Sequence, residues 1–134
     1  MLDLAQHISS WSKDPSTRVG AVIADDKRII SLGYNGFPPG IADDERLLDR
    51  EQKYEIIIHA EINAMANAHT DITGCDLYVW PMPPCARCAT HIIANRIGRV
   101  FYPEGSEHHP RWSESVARGV ALFNEAGVEH AGLQ

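Results

Sequence analysis

The sequence predicts an α/β fold with a mixed β-sheet, and two patterns support this prediction. Near the N-terminus, two apolar segments at residues 19–24 and 29–33 flank the polar turn Asp25-Asp26-Lys27, which is typical of a β-hairpin. After this hairpin, strand-like and helix-like segments alternate along the chain. Because hairpins pair strands antiparallel and strand–helix–strand units pair them parallel, the combination indicates one mixed sheet.

The segment before the hairpin has the periodicity of a helix. Apolar residues at positions 4, 5, 8 and 11 predict an amphipathic helix over residues 2–11, which Lys13-Asp14-Pro15 ends. After the hairpin, residues 34–40 are rich in turn formers and open a loop that we expect to continue to about residue 50. A loop of this length in a compact domain is usually functional or disordered.

The rest of the chain alternates between helix and strand patterns. We expect a helix starting next to His59, a strand at 77–80, a helix from Cys85 to about residue 95, a strand at 99–102, a helix at 114–126 and a last short strand at 128–130. Gly127 is suited to ending the helix before it.

Composition narrows the class of protein. The chain has 134 residues, 44% of them hydrophobic, which predicts one globular domain. The formal net charge of −6, without a Lys/Arg cluster, argues against a nucleic-acid substrate, although one phosphate on a small nucleotide needs only one or two donors. Without a bilayer-spanning apolar segment or a signal-peptide pattern, we expect a cytoplasmic protein with reduced thiols and no membrane partner.

A split motif carries the chemistry: His59-Ala60-Glu61 is followed by Pro84-Cys85-Ala86-Arg87-Cys88. His59, Cys85 and Cys88 offer three zinc ligands, and Glu61 is a carboxylate that the metal does not need. A structural zinc site uses four protein ligands, whereas a catalytic site keeps one position for water. The motif therefore predicts a hydrolytic zinc site.

The ligand spacing fits the starts of two helices. Cys85 and Cys88 are three residues apart and share one face of a helical turn, and the two prolines before Cys85 favour a helix start. There the helix dipole and a metal both favour thiolates. His59 and Glu61 are two residues apart, so they flank one pocket only if they too lie near a helix start.

The chain resembles the deoxycytidylate (dCMP) deaminase family, within the cytidine deaminase-like superfamily. The H-x-E…P-C-x-x-C arrangement is shared by zinc nucleobase deaminases in general. The segments K-D-P-S-T-R-V-G-A-V-I at 13–23 and G-Y-N-G-F-P at 33–38 are similar to the dCMP branch specifically. The resemblance implies a three-layer α-β-α sandwich with a mixed sheet of about five strands. It also implies that residues 1–134 form a single zinc-dependent deaminase domain.

The resemblance further implies hydrolytic deamination of dCMP to dUMP with release of ammonia. Glu61 would take a proton from the zinc-bound water, and the resulting hydroxide would attack C4 of the base. Glu61 would then pass protons to N3 and to the leaving amino group. The family implies two backbone contacts to the base, the N–H of Ala60 and the C=O of Pro84.

Further residues are candidates for the sugar and the phosphate. Asn35 resembles the family residue that bonds the 3′-hydroxyl. Arg18, with Ser16 or Thr17, is our candidate for the 5′-phosphate, because a guanidinium binds phosphate through paired hydrogen bonds. Tyr102 and Arg111 are weaker candidates to border the nucleotide, since strand-end tyrosines and surface arginines are common.

Two departures from the family bear on the metal and the substrate. The family often carries an insert with ligands for a second zinc before the H-A-E motif; this chain has none, so we expect one Zn²⁺ per chain. Cys75 is interpreted as a buried strand or turn residue and not as a fourth ligand. The proline-rich segment at 80–84 bears on substrate preference. The family also implies a homo-oligomer, from dimer to hexamer.

Three alternatives stay open at this point. The substrate could be another small aminopyrimidine, such as cytidine, cytosine or a 5-substituted dCMP. Editing of tRNA adenosine shares the zinc motif but fits the acidic charge poorly. A zinc-stabilised binding domain without turnover would leave Glu61 unused and would need a fourth ligand.

Overall fold

Five strands form one mixed sheet in the structure, a computed structural model that describes residues 1–112 and 114–134. They are β1 (Gly20–Asp25), β2 (Arg28–Tyr34), β3 (Asp76–Trp80), β4 (Arg99–Pro103) and β5 (Glu129–Leu133). Their order is β2-β1-β3-β4-β5. β1 is antiparallel to both β2 and β3, while β3, β4 and β5 are parallel. The predicted α/β fold with a mixed sheet is confirmed.

Helices cover the sheet and connect its strands. They are α1 (Leu2–Ser9), α2 (Arg50–Ile56), α3 (Ala60–Asn67), α4 (Ala86–Ala94) and α5 (Glu114–Ala126), with short 3₁₀ turns at Glu45–Leu48 and Ser106–His108. Within residues 1–112 and 114–134, no helix combines the length and apolar character that crossing a bilayer requires.

Two glycines show that helices pack on opposite faces of the sheet. A Cβ atom at Gly20 would lie 2.6 Å from the backbone nitrogen of Ser9 in α1. A Cβ at Gly33 would lie 2.4 Å from the nitrogen of Ala64 in α3. Gly33 is paired with Ala21, the neighbour of Gly20, so the two glycines face opposite sides of the sheet. The layers are therefore helix, sheet and helix, as the resemblance implied.

The main core lies between the sheet and the layer formed by α3, α4 and α5. Its largest fully buried side chains include Ile23 and Leu77 from the sheet, Ile92 from α4 and Phe123 from α5. Each fully buried side chain of this size contributes about 1.5–3 kcal/mol from the hydrophobic effect. This packing holds the N-termini of α3 and α4 side by side at one end of the sheet.

The prediction of a loop over residues 34–50 is wrong in its second half, where a 3₁₀ turn forms at Glu45–Leu48. The helix α2, which the sequence analysis does not predict, follows directly. The Asp44 side chain accepts a hydrogen bond from the Arg46 N–H and starts the 3₁₀ turn. Asp49 accepts from the N–H groups of Glu51 and Gln52 and starts α2. These aspartates are N-caps, a role that favours helix starts and not loop continuation.

Other boundaries differ by a few residues. α1 ends at Ser9, two residues before its predicted end, and β5 extends to Leu133, beyond the predicted 128–130. The hydroxyls of Ser9 and Ser10 bond carbonyls of the preceding turn, where they compete with continued helix. The predicted helix at 114–126 has the observed bounds.

Candidate active site

A cavity of about 630 Å³ opens between the N-termini of α3 and α4, the α2 helix and the loop before β1. This volume is in the range typical of small-molecule sites. His59, Glu61 and Cys85 line one part of the cavity, and Asp14 and Asn35 line another. The two parts are built in different ways and are described in turn.

His59, Cys85 and Cys88 form a cluster that can hold a metal ion. His59 Nδ1 lies 3.3 Å from Cys88 Sγ and 3.5 Å from Cys85 Sγ. All three ligand atoms lie within 4.8 Å of one another. A tetrahedral zinc ion with bonds of about 2.0 Å to nitrogen and about 2.3 Å to sulfur would separate these atoms by about 3.5 Å. The cluster therefore fits zinc in size as well as in donor type.

Both helix starts leave their first side chain available for the metal. His59 is the N-cap residue of α3 and Cys85 is that of α4, and neither side chain caps its own helix. In α4 the Ala86 N–H instead donates to the Ser115 hydroxyl of α5, over 3.1 Å. This bond joins the start of α4 to α5.

The two thiols differ in their affinity for a proton. The hydrogen bond with Cys88 lowers the pKa of Cys85 to about 3, and His59 contributes to the same effect. The same bond and burial raise the pKa of Cys88 above its usual range. The bond to Cys85 raises the pKa of His59. A metal ion competes with protons for these three side chains, so metal binding weakens in acid.

Glu61 lies in the first turn of α3, next to the cluster but outside it. Its side chain is buried, with 4% of the residue exposed, and desolvation raises the pKa of its carboxyl while the charge on His59 opposes that rise. A raised pKa brings a carboxyl closer to neutral pH, where it both accepts and donates protons efficiently. Burial beside a metal cluster thus suits Glu61 to proton transfer.

A hydrogen-bond network builds the wall around Asn35. The Asn35 Oδ1 accepts from the Val19 N–H over 2.8 Å, and its Nδ2 donates to the Thr17 carbonyl over 2.9 Å and to Asp14 Oδ2 over 3.4 Å. Asp14 Oδ1 accepts from the N–H groups of Ser16 and Thr17. The network fixes the loop before β1 against the start of the loop after β2.

The cavity is cationic although the chain is acidic. Four basic side chains line it, against the two carboxyls of Asp14 and Glu61. The four are Arg50, Lys53, Arg87 and Arg111. Arg111 bridges to the loop before β1, since its Nη2 lies 2.9 Å from the Ser16 carbonyl oxygen and 3.2 Å from the Thr17 hydroxyl. A positive cavity in a chain of net charge −6 favours a small anionic ligand.

The structure brings most of the predicted site residues to this cavity. The residues that line it are Ser16, Thr17, Asn35, His59, Ala60, Glu61 and Cys85. Cys88 is buried behind Cys85 in the metal cluster. Cys75 is buried, as predicted, and is not one of the three residues that the described part of the chain contributes to that cluster.

Two predicted residues lie elsewhere. Arg18 is exposed and is not part of the cavity lining. Pro84 is buried, and its carbonyl oxygen lies only 2.3 Å from the position that a Cβ at Gly119 would take, so this carbonyl faces α5. The neighbouring Pro83 lines the cavity instead.

Sequence reasoning missed Arg50 and Lys53 because it missed α2. The capping signal of Asp49 before a helical segment is visible in the sequence and would have placed these basic residues on a helix. That α2 lies against the cavity depends on contacts between distant segments, which no local pattern shows.

Comparisons with known proteins found a matching family and related sequences. Residues 1–104 match the family described as the cytidine and deoxycytidylate deaminase zinc-binding region. A protein named as an uncharacterized deaminase in the luxG 3′ region of Aliivibrio fischeri is 45% identical over 127 residues, which cover 94% of this chain and 86% of that protein. Human deoxycytidylate deaminase is 39% identical over 127 residues, covering 87% of this chain and 68% of the human protein.

A solved structure shares the fold. The crystal structure of dCMP deaminase from the cyanophage S-TIM5, in complex with dCMP and dUMP, superposes with a TM-score of 0.81. The match covers 98% of this chain and 93% of the phage protein at 23% identity. The three-layer architecture is therefore shared nearly over its full length.

Proposed function

Since the chain belongs to the cytidine and deoxycytidylate deaminase family and is a deaminase, we propose that it converts dCMP to dUMP with release of ammonia. One observation carries the proposal: a metal cluster beside a buried carboxyl shares a cavity with a cationic wall. The first feature supplies hydrolysis, and the second selects an anionic nucleotide. The deoxycytidylate deaminases among the relatives support the same substrate.

We assign zinc to His59, Cys85 and Cys88, with one ion per chain. Two thiolates and an imidazole are preferred zinc donors, and three protein ligands are typical of a catalytic site. Bound there, zinc would lower the pKa of water and make it a nucleophile near neutral pH.

Glu61 is the proton carrier in this proposal. As a carboxylate it takes a proton from the nucleophilic water and delivers it to N3 of cytosine, which makes C4 electrophilic. The water oxygen, now lacking that proton, adds to C4. Glu61 then moves the remaining proton of that oxygen to the amino group, so that a C4–O double bond forms, the C4–N bond breaks and ammonia leaves. Burial supports this role, because a carboxyl with a raised pKa both takes up and gives back a proton readily.

Two groups are placed to orient the base and the sugar. The Ala60 N–H is in the first turn of α3 and has no acceptor within the helix, so it can donate to the base. Both amide hydrogens of Asn35 are engaged by Thr17 and Asp14. The 3′-hydroxyl would therefore donate its proton to Asn35 Oδ1, which accepts only one hydrogen bond, from Val19.

The 5′-phosphate is assigned to Arg111 together with Ser16 and Thr17. Arg111 already contacts the loop that carries these two residues, and its guanidinium lies at the cavity. Arg18, the arginine suggested by the sequence, is exposed outside the cavity lining. We therefore assign the guanidinium contact with the phosphate to Arg111 and keep Ser16 and Thr17 as its hydroxyl contacts.

We also propose that the protein is a homo-oligomer. Leu48, in the 3₁₀ turn before α2, and Tyr54, on α2, are 77% and 57% exposed. Single exposed apolar residues are normal on a monomer. The expectation of an oligomer therefore comes from the family resemblance, with these two residues as candidate contacts. Size-exclusion chromatography with light scattering tests this, and a monomer at all concentrations would contradict it.

The proposed function is tested by measuring both reaction products and the zinc content of one sample. The zinc-loaded protein is incubated with dCMP while ammonia release and formation of dUMP are measured, with zinc content determined on the same sample. We expect equimolar ammonia and dUMP and one zinc per chain. A protein that binds zinc but releases no ammonia from dCMP would overturn the proposal.

A further inference from the structure

We propose that Lys53, through a buried ion pair with Asp14, is a positioning residue that sets the nucleotide-binding wall of the cavity. The inference rests on the proposed function, because it names a residue that aligns the sugar and phosphate contacts of that site. Lys53 lies on α2, and Asp14 lies in the loop before β1. Neither side chain belongs to the metal cluster.

The pair is buried on both sides. Lys53 Nζ lies 3.2 Å from Asp14 Oδ1, and the two side chains are only 6% and 7% exposed. A further contact of 3.4 Å joins Nζ to the Ser16 hydroxyl. Lysine is almost never buried without a partner, and desolvating both charges offsets much of their attraction. A buried pair of this kind is therefore better explained by the geometry it imposes than by stability.

Asp14 transmits that geometry to the residues assigned to the substrate. Its Oδ1 accepts from the N–H of Ser16 over 2.8 Å and from that of Thr17 over 3.3 Å, in addition to Lys53. Its Oδ2 accepts from Asn35 Nδ2 over 3.4 Å. One carboxylate thus orients both the turn proposed to hold the phosphate and the amide proposed to hold the sugar, and Lys53 holds that carboxylate in place.

The same part of the chain contains a contrasting pair. Lys13, the residue before Asp14, pairs with Asp43 over 3.5 Å, but these side chains are 72% and 37% exposed. Exposed pairs contribute little to structure because water screens them. Lys13 therefore serves as a matched control that removes the same charge one residue away from the network.

The position of Lys53 also predicts which kinetic constant it affects. Misaligned Asn35, Ser16 and Thr17 would weaken binding of the sugar and phosphate, while the metal cluster and Glu61 keep their geometry. A loss of binding shared by ground state and transition state raises KM and leaves kcat largely unchanged. Because dCMP uses both sets of contacts and deoxycytidine only the sugar contact, the preference for dCMP should fall.

The experiment compares four proteins: wild type, Lys53→Met, the double variant Lys53→Met with Asp14→Asn, and the control Lys13→Met. For each, kcat and KM are measured with dCMP and deoxycytidine, binding of dUMP and deoxyuridine is measured by calorimetry, and zinc content and Tm are recorded. The double variant removes both buried charges, so it provides a folded comparison if Lys53→Met alone is too unstable to purify.

We expect Lys53→Met to raise the KM for dCMP by about tenfold, less than the roughly hundredfold that a 1 Å misplacement of reacting groups can cost. Its zinc content and kcat should stay near wild type, and its preference for dCMP over deoxycytidine should decrease. The double variant should show the same loss of preference, because neutral side chains cannot restore the pair. Lys13→Met should match wild type in every constant.

Other outcomes would overturn the inference while leaving the proposed function intact. A purely structural role predicts a lower Tm and equal losses for dCMP and deoxycytidine, with unchanged KM in the fraction that remains folded. If the wild type does not deaminate dCMP, the proposed function fails by itself. The inference is then decided by calorimetry: it survives only if wild type binds dUMP better than deoxyuridine and Lys53→Met loses that difference.

Discussion

The metal-binding end of the cavity and its nucleotide-binding wall are built by opposite means. At the metal-binding end, His59 and Cys85 are N-cap residues, and each brings its functional neighbour within the next three positions of the chain. At the wall, the contacts join residues far apart in sequence, such as Lys53 with Asp14 and Arg111 with Thr17. Within each helix start, local geometry positions the residues, and core packing brings the two starts together. The wall depends on tertiary contacts.

Because the two regions are built differently, substitutions in them should impair different properties of the protein. At the metal-binding end, two helix starts that the core holds together position the side chains. Substitutions there should change kcat and the zinc content. The wall depends on loops and on α2, so substitutions there should affect affinity and substrate preference. The following predictions test that division, beginning with the largest expected effect.

Glu61→Gln should lower kcat by about 10²–10⁴-fold, the contribution typical of a general acid–base group. The amide keeps the size of the side chain but cannot carry a proton. Zinc content should remain that of wild type, because Glu61 lies outside the cluster of His59, Cys85 and Cys88. Turnover and zinc analysis on one preparation check this, and full activity in the variant would contradict the division of roles.

Arg111→Met should raise the KM for dCMP by about tenfold to a hundredfold, the equivalent of hydrogen bonds to a charged group of about 1.5–3 kcal/mol. Deoxycytidine, which lacks the phosphate, should be turned over as by wild type. Arg118→Met is the control, since Arg118 is exposed on α5 and pairs only with Glu114 among the described residues. Steady-state kinetics with both substrates would refute the assignment if the two KM values rose together.

Gly119→Ala should destabilise the metal-binding end through packing. A Cβ there would lie 2.3 Å from the Pro84 carbonyl oxygen and 3.0 Å from the Cys85 carbonyl carbon, so the start of α4 must shift. We expect a loss of about 1–3 kcal/mol in the free energy of unfolding, typical of overpacking, together with weaker zinc binding.

Ala121→Gly on the same helix is the control for Gly119→Ala. It should lower stability by about 0.5–1 kcal/mol through helix propensity alone and leave zinc affinity unchanged. Denaturant unfolding and zinc titration of both variants separate the two causes. Equal zinc affinity in all three proteins would show that α5 does not position the Cys85 turn.

The pH dependence of stability should show the smallest effect. Burial raises the pKa of Glu61 in the folded chain, so the folded state binds a proton more tightly than the unfolded state does. Above the ordinary glutamate pKa of about 4.3, the unfolded state ionises first and folding stability falls as pH rises. In metal-free protein Glu61→Gln should therefore unfold at higher denaturant than wild type at neutral pH, and at a similar concentration at pH 4. The reverse order at neutral pH would contradict the burial argument.

The sequence was sufficient for most of the fold and for the metal-binding end. The hairpin, the later strands and the helix over residues 114–126 follow from periodicity, and the family resemblance that the H-A-E and P-C-x-x-C segments suggested is confirmed. These features depend on neighbours within a few residues. Short-range patterns therefore predict them well.

The wall of the cavity could be predicted only in part, at Ser16, Thr17 and Asn35. α2 was missed, and with it Lys53, whose partner Asp14 is 39 positions away. Arg18 directly follows Thr17 in the sequence, yet its side chain is exposed. Arg111 is 94 positions from Thr17 and contacts the Thr17 hydroxyl. The packing of distant segments decides which of the two arginines contacts this loop. Local sequence patterns do not show that packing.

Whether the cationic wall binds a nucleotide phosphate is decided by the ratio of kcat/KM for dCMP to that for deoxycytidine in the zinc-loaded wild type. We expect dCMP to be preferred by about tenfold to a hundredfold, because only dCMP uses the charge-assisted contacts of the wall. Equal or faster turnover of deoxycytidine would contradict the assignment of the cationic wall to a nucleotide phosphate, even if the metal-binding end proved to be catalytic.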